Sequence, residues 1–216
     1  MTFATNSLYL VPCARDWAVI EMISLVLGLG NIGKKYVGTR HNVGFEVVAR
    51  VADRLKAVPQ VRDSAFDWAI AEIADRKVVL AWPRTYMNLS GVAARELLTH
   101  LEIQPSQMLV VVDDFNLPLG AVRIRPNGSD GGHNGLISMI EELGTEEFPR
   151  VRLGIGPARN DEEVIDFVLG KFSPEERKQV DEMIVRAADA VLFALEHRLD
   201  ETMSKYNYNP ALPESN

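Results

Sequence analysis

A short, almost purely apolar segment constrains the fold more than any other feature of the chain. Residues 108–112 read MLVVV, and Asp113 and Asp114 follow directly. A run of this length and composition is typical of a strand that is buried on both faces, as in a parallel sheet covered by helices on either side. The sequence therefore predicts an α/β fold.

Strand-like and helix-like segments alternate along the rest of the chain. Strands are predicted over residues 23–27, 121–125 and 150–156, with a hairpin of residues 68–73 and 77–82 that turns at Asp75 and Arg76. Helices are predicted over residues 43–56, 90–102, 136–143 and 173–198, the last beginning with the cap pattern Ser-Pro-Glu-Glu. This order predicts a single three-layer α/β domain with a mixed, mostly parallel central sheet flanked by helices.

The length of 216 residues is that of one domain. We expect the domain to span residues 23–200, between an N-terminal extension at residues 1–22 and a loose C-terminal tail at residues 201–216. Met22 directly precedes the first strand pattern. The extension is thus either upstream of a natural start at Met22 or an arm packed on the surface.

Composition excludes several classes of protein. The chain is 47% hydrophobic, which argues against disorder, and no apolar run reaches the roughly 18–20 residues that cross a bilayer. A single cysteine, Cys13, excludes a disulfide scaffold and favours a reducing compartment. The first 24 residues lack the pattern of a signal peptide, so a cytoplasmic protein is expected.

The net charge of −7 is distributed unevenly. Residues 160–216 carry 13 acidic and 6 basic side chains, whereas residues 1–159 carry 17 of each. The acidic total therefore does not exclude binding of nucleic acid by the larger part of the chain.

Polar residues gather where predicted strands end. They are found at Asn31, in YMNLS at residues 86–90, at Asp113 and Asp114, in GGHNG at residues 131–135, and in TRHNVG at residues 39–44. Ligands of open α/β sheets bind outside the carboxyl ends of the strands, so these loops are expected to converge on one site.

Two of these residues have the chemistry of a general base and its partner. His41 can take and return a proton near neutral pH, and a carboxylate such as Asp113 would orient the ring and stabilise its charged form. Asn31, Asn88 and Asn134 offer neutral amide donors and acceptors, although each could instead be a turn or helix-cap residue. The chain has no Cys-x-x-Cys, His-x-x-x-His or Gly-x-Ser-x-Gly motif, so no motif supports a metal site or a serine nucleophile.

The segment GLGNIG at residues 28–33 matches a dinucleotide-binding pattern, but its context does not. That pattern needs a helix that begins within the loop and an acidic residue about 20 positions later at a strand end. Here the helix begins near Val43, and Asp53 lies within it. A nicotinamide-dependent oxidoreductase is therefore disfavoured.

Basic residues form a further pattern. Strand alternation puts Arg123 and Arg125 on one face, and Arg150 and Arg152 likewise. If the two strands are neighbours, four guanidinium groups share a patch, which is either a solvated face or a surface for a phosphate-bearing partner.

Seven motifs in order resemble the bacterial-type peptidyl-tRNA hydrolase family. They are LGLGNIG at 27–33, Tyr36 with TRHNVG at 39–44, YMNLSG at 86–91, DDFNLP at 113–118, GGHNG at 131–135, RVRLGIG at 150–156 and FVLGKF at 167–172. Together they span most of residues 24–198.

The resemblance implies a monomeric esterase without metal or other cofactor that hydrolyses the ester between peptide and tRNA in peptidyl-tRNA. It implies that His41 is the catalytic base, that Asp113 orients it, and that Asn31 acts beside them. The implied substrate contacts reach the 3′-terminal adenosine and the acceptor arm of the tRNA. The residues implied to bind substrate are Tyr36, Asn42, Tyr86, Met87, Asn88, Asn134, Arg123, Arg125 and Arg152.

Two departures from the family pattern stand out. Asn116 replaces an aspartate of many relatives, and residues 157–163 are acidic where some relatives have a lysine. A non-catalytic RNA-binding module on the same fold is the alternative function, but the joint presence of His41, Asp113 and the three asparagines argues against it.

Overall fold

The computed structural model describes residues 22–60, 65–156 and 164–211. Its seven strands are β1 Leu25–Gly28, β2 Val58–Pro59, β3 Phe66–Ile73, β4 Arg76–Pro83, β5 Met108–Asp114, β6 Val122–Arg125 and β7 Arg150–Gly154. Its α-helices are α1 Val43–Arg54, α2 Ser90–Leu101, α3 Asn134–Leu143, α4 Val164–Leu169, α5 Pro174–Glu196 and α6 Leu199–Tyr206.

The strands form one sheet in the order β2-β3-β4-β1-β5-β7-β6. The four central strands are parallel, because β1 pairs in parallel with β4 and β5, and β5 pairs in parallel with β7. The outer pairs, β2 with β3, β3 with β4 and β6 with β7, are antiparallel. The predicted mixed, mostly parallel sheet is confirmed.

Strand β5 lies in the centre and is buried along its whole length. Leu109 and Val111 belong to the core cluster that contains residues of α1 and α5. Met108, Val110 and Val112 belong to the second cluster, on the face covered by α2 and α3. This division of alternate side chains between two cores explains the unbroken apolar sequence and confirms the three-layer architecture.

The hairpin turns one residue earlier than predicted. Ile73 pairs with Arg76, so the two-residue turn is Ala74–Asp75, and both residues have positive φ angles, 48° and 59°. That conformation matches the twist of a two-residue hairpin. Arg76 instead begins β4, and its guanidinium donates hydrogen bonds to the carbonyl oxygens of Ile23 and Leu195.

The C-terminal segment is more ordered than the predicted loose tail. Helix α6 packs Leu199, Met203 and Tyr206 against the core, and Tyr208 then exchanges two backbone hydrogen bonds with Val122 of β6, at 2.9 and 2.8 Å. The spacing of these apolar residues is helical, but the prolines at 210 and 213 favoured a tail. Residues 1–21 of the predicted extension and residues 212–216 of the predicted tail lie outside the described residues.

None of the helices in the described ranges combines the length and the apolar character needed to cross a membrane.

Candidate active site

A cleft of about 520 Å³ opens at the carboxyl ends of the parallel strands. The loops after β1, β4 and β5 and the loop before α3 meet there, as the strand-end rule predicts. Helix α4 forms the opposite wall, with Val164, Ile165, Val168 and Leu169. The predicted site residues that line the cleft are Asn31, Tyr36, His41, Tyr86, Met87, Asn88 and Asn134.

His41 and Asp113 are in direct contact. The Nδ1 atom of His41 lies 2.9 and 3.0 Å from the two carboxylate oxygens of Asp113, and both side chains are buried. A carboxylate only accepts hydrogen bonds, so Nδ1 carries a proton, and in the neutral form of the ring the lone pair is therefore on Nε2. Nε2 makes no hydrogen bond to any described residue. The ring thus has the tautomer that a general base requires.

Close packing at Gly44 brings this pair together. Gly44 lies in the first turn of α1, and a Cβ atom there would lie 2.5 Å from the carbonyl oxygen of Val111. Only glycine allows the start of α1 to approach β5 so closely. The turn that carries His41 therefore lies against the end of the strand that carries Asp113.

His133 is a third member of the cluster, and the sequence did not identify it as a site residue. Its Nε2 lies 3.0 Å from Asp113 Oδ1, while its Nδ1 accepts hydrogen bonds from Gly135 N and Leu136 N as the N-cap of α3. Nδ1 is therefore unprotonated, and Nε2–H donates to Asp113. The GGHNG motif and its neighbouring helix start were the available signals.

Asp113 therefore accepts hydrogen bonds from two imidazole rings. Burial by itself raises the pKa of its carboxyl, but the adjacent His41 and His133 lower the pKa by more, to well below its usual range. Asp113 is consequently ionised at every pH at which His41 could act as a base.

Asn31 has a fixed orientation at the edge of the cleft. Its Oδ1 accepts a hydrogen bond from Met87 N at 2.8 Å. Its amide nitrogen has no partner among the described residues and is available to the cleft. Asn42, predicted to bind substrate, lies behind Asn31 and does not line the cleft, because both ends of its side-chain amide bond the Asn31 backbone.

Asn88 and Asn134 have exposed side chains, and neither side chain caps a helix. Helix α3 is capped by His133, and no side chain caps the turn or helix that follows Asn88. Neither amide has a hydrogen-bond partner in the described part of the chain. The alternative that these residues are helix caps is wrong, and both side chains are free to bind a ligand. Tyr36 and Tyr86 meet edge to face beside them, with ring centroids 6.5 Å apart.

Three of the four arginines predicted to share a patch are at least partly exposed, and the fourth, Arg150, is buried. Arg123 pairs with Arg152 and Arg125 with Arg150 across β6 and β7. Arg150 is buried, stacks 4.2 Å from the Phe148 ring, and donates to the carbonyl oxygens of Ser129 and Glu146, so its assignment to an open patch is wrong.

The pKa of Arg150 is lowered to about 10, mainly by burial and to a smaller extent by the positive charge of Arg152. Arg152 is only partly exposed and forms a 2.7 Å ion pair with Asp114. Arg123 is the most accessible of the set, and Arg125 is intermediate.

His41, Asp113 and His133 are also the described group whose composition could suit a metal ion. Both imidazole nitrogens that face Asp113 carry protons in the arrangement above, so they have no lone pair for a metal. In this arrangement the carboxylate of Asp113 orients both rings through their N–H groups.

The model of the peptidyl-tRNA hydrolase family matches residues 25–214. The chain belongs to the peptidyl-tRNA hydrolase family. The resemblance carried by the seven sequence motifs is therefore confirmed, and six of those motifs contribute residues to the cleft.

Relatives in the peptidyl-tRNA hydrolase family match almost end to end. The peptidyl-tRNA hydrolase of Sulfurihydrogenibium sp. (strain YO3AOP1) is 47% identical over 188 residues, which cover 87% of this chain and 99% of the relative. That of Aquifex aeolicus (strain VF5) is 44% identical, covering 86% and 96%. The crystal structure of peptidyl-tRNA hydrolase from Acinetobacter baumannii superposes with a TM-score of 0.84 at 33% identity, covering 89% of this chain and 98% of that one.

Asn116, one of the two departures from the pattern of the peptidyl-tRNA hydrolase family, links two loops beside the cleft. Asn116 Nδ2 donates to the carbonyl oxygen of Gly131 at 3.1 Å, so it ties the loop after β5 to the loop before α3. This is a structural role beside the cleft. The acidic residues 157–163 lie outside the described residues.

Proposed function

We propose that the protein hydrolyses the ester bond between peptide and tRNA in peptidyl-tRNA, with His41 as the general base. The observation that carries the proposal is the contact of His41 Nδ1 with Asp113 at 2.9 and 3.0 Å beside an open cleft. Membership of the peptidyl-tRNA hydrolase family supports the choice of substrate.

The reaction begins with a water molecule in the cleft. His41 Nε2 takes a proton from it as its oxygen attacks the ester carbonyl carbon, and Asp113 stabilises the imidazolium that forms. Collapse of the intermediate breaks the bond to the ribose oxygen, which receives the proton from His41. Free tRNA leaves, and the peptide's new carboxyl group releases the second proton of the water to solvent as it departs as a carboxylate.

Asn31 is the side chain best placed to assist at the carbonyl. Its Oδ1 is held by Met87 N, so the amide NH₂ is the end available to the cleft, where it can donate to the developing oxyanion or to the peptide. An amide also discriminates between substrates, because the neutral amide of a peptide suits it better than the charged amine of an aminoacyl-tRNA.

The contacts to the tRNA are assigned to neutral side chains of the cleft and to arginines outside it. Asn88 and Asn134 have free amides for the 3′-terminal adenosine, and Tyr36, Tyr86 and Met87 supply flat or apolar contacts around them. Arg123, Arg125 and Arg152 are assigned to the phosphates of the acceptor arm, a contact that is insensitive to sequence.

Asn42 is assigned a supporting role, since its amide is used to hold Asn31. A monomeric state and a cytoplasmic location are further inferences from the family. Light scattering on the purified protein tests the first, and fractionation of cells that express the chain tests the second.

The decisive experiment is hydrolysis of N-acetyl-aminoacyl-tRNA by the purified protein and its variants. We expect His41→Ala to lose about 10²- to 10⁴-fold in kcat, the usual contribution of a positioned base. Asp113→Ala should lose less, because the base itself remains. His197→Ala, at an exposed site at the end of α5, is the matched control and should match the wild type.

Near wild-type turnover of His41→Ala would contradict the assigned base. Binding of tRNA without any ester cleavage by the wild type would instead favour the RNA-binding module.

A further inference from the structure

Two parts of the sequence motifs that the proposed chemistry does not use meet beside the cleft. One is Arg40, next to His41 in the TRHNVG motif, and the other is the FVLGKF motif at residues 167–172. The second begins in α4, which forms a wall of the cleft.

The Arg40 side chain is enclosed by the second motif. Its guanidinium carbon lies 4.5 Å from the centroid of the Phe167 ring and 5.0 Å from that of Phe172. One guanidinium nitrogen donates to the carbonyl oxygen of Lys171 at 2.7 Å. The side chain is only 11% exposed, so these contacts are made largely out of water, where the attraction between a cation and a ring is strongest.

Glu176 holds the other side of the guanidinium. Arg40 Nη2 lies 3.1 and 2.8 Å from its two carboxylate oxygens. The same carboxylate accepts a hydrogen bond from Ser173 N at 2.6 Å and thereby closes the capping box of α5. Arg40 therefore joins the His41 turn to the start of α5, with the end of α4 between them.

Helix α4 depends on contacts with the rest of the domain to stay folded. It has six residues, of which only Val168 is buried, while Ile165 is 65% exposed. A helix this short is not stable alone, because nucleation costs more than so few hydrogen bonds return. Val164 and Phe167 pack against the edge of the core, and Arg40 adds polar contacts where the helix ends, including the hydrogen bond from Arg40 N to Gly170 O at 2.9 Å.

We propose that Arg40 is a positioning residue that holds α4 in place as the wall of the substrate cleft, separately from the proton chemistry at His41. The His41 ring is oriented by Asp113, which Arg40 does not contact. Loss of Arg40 should therefore weaken substrate binding without changing the ionisation of the base. This inference rests on the proposed function for its kinetic consequence only.

The test uses the full chain with Arg40→Gln, Arg40→Lys and Glu176→Gln. Glutamine at 176 can still close the capping box but loses the ion pair, and lysine at 40 keeps the charge but not the flat, forked contact. Arg177→Gln is the control, since Arg177 is the next residue along α5 and loses comparable ion pairs, to Glu46 and Asp181, which are away from α4.

Two measurements are made on each variant: steady-state kinetics on N-acetyl-aminoacyl-tRNA across pH, and amide hydrogen exchange at residues 164–170. We expect Arg40→Gln to raise KM about three- to thirtyfold, the range typical of a residue that acts at a distance from the ligand. Arg40→Lys and Glu176→Gln should fall between it and the wild type. Exchange at residues 164–170 should rise in the same order, with the pH midpoint of kcat unchanged and Arg177→Gln like the wild type.

Unchanged KM and unchanged exchange in Arg40→Gln would overturn the proposal, as would a shifted pH midpoint of kcat. If the wild type fails to cleave the substrate, the proposed function fails, but the exchange measurement still decides whether Arg40 holds α4.

Discussion

The side chain of Asn42 grips the backbone of Asn31 at both ends. Its Oδ1 accepts from Asn31 N at 2.8 Å, and its Nδ2 donates to the Asn31 carbonyl oxygen at 3.0 Å. Asn31 in turn accepts from Met87 N through its own side chain. Asn42 therefore joins the His41 turn to the loop after β1, and Asn31 extends this link to the loop after β4.

Replacing Asn42 should reduce turnover although the residue does not line the cleft. Asn42→Ala leaves both backbone groups of Asn31 unpaired, and an error of about 1 Å in a reacting geometry can cost about 10²-fold. We expect kcat to fall by about 10- to 100-fold and the free energy of unfolding to fall by about 1–3 kcal/mol. Kinetics and urea unfolding measure these two effects. Asn127→Ala, which removes one exposed hydrogen bond to Glu147, is the control, and equal effects in both variants would contradict the link.

Acid should remove the stability that Asp113 contributes. Its pKa is lowered by the fold from an ordinary value of 3.8, so the ionised form stabilises the folded state at every pH above that value. The contribution decreases as the pH falls below about 4. We expect Asp113→Asn to be less stable than the wild type at pH 7, with a difference that narrows between pH 4 and pH 3. Urea unfolding at each pH measures the difference, and a gap that widens in acid would refute the assignment.

The two roles of His133 can be separated by two substitutions. His133→Asn can still cap α3 but does not reach Asp113, whereas His133→Ala loses both the cap and the contact. We expect both variants to lose activity, and the alanine variant to be less stable than the asparagine variant by about 1 kcal/mol. Thermal unfolding and turnover distinguish these effects. Full activity in His133→Asn would show that the contact with Asp113 is dispensable.

Binding of tRNA should depend on salt through Arg123 and Arg125. Each phosphate contact contributes about 0.7 to 0.9 to the slope of log affinity against log salt concentration. We expect Arg123→Gln and Arg125→Gln each to lower the slope for deacylated tRNA by about that amount. Arg95→Gln, which breaks an ion pair with Glu142 on the α2–α3 surface, is the control. A slope that is the same in all three variants would remove the arginines from the interface.

Patterns with a local physical cause predicted most of the fold. The apolar run at β5 requires helices on both faces of the sheet, so it predicted the three-layer architecture without knowledge of which strands pair. The first helix and the hairpin strands were likewise visible in their periodicity. Convergence of the strand-end loops followed from the parallel sheet and brought His41 near Asp113.

The remaining features depend on contacts that no local pattern contains. Arg150 alternates with Arg152 in sequence, but carbonyl oxygens of Ser129 and Glu146 hold it inside. His133 resembles any loop histidine until the strand bearing Asp113 is placed beside it. The role of Asn42 could not be predicted from its motif, because an asparagine there could equally bind a ligand or hold another loop. Only the fold of the loop after β1 shows that its amide bonds the Asn31 backbone.

The contacts that make the cleft join distant parts of the chain. His41 and Asp113 are 72 residues apart, and Arg40 and Glu176 are 136 apart. During synthesis, His41 gains its partner Asp113 only after about half of the 216 residues have been joined, and Arg40 gains its partner only once Glu176 has been added. A nascent chain that ends before Asp113 therefore lacks the partner of His41, and one that ends before Glu176 lacks the ion pair that Arg40 forms beside α4.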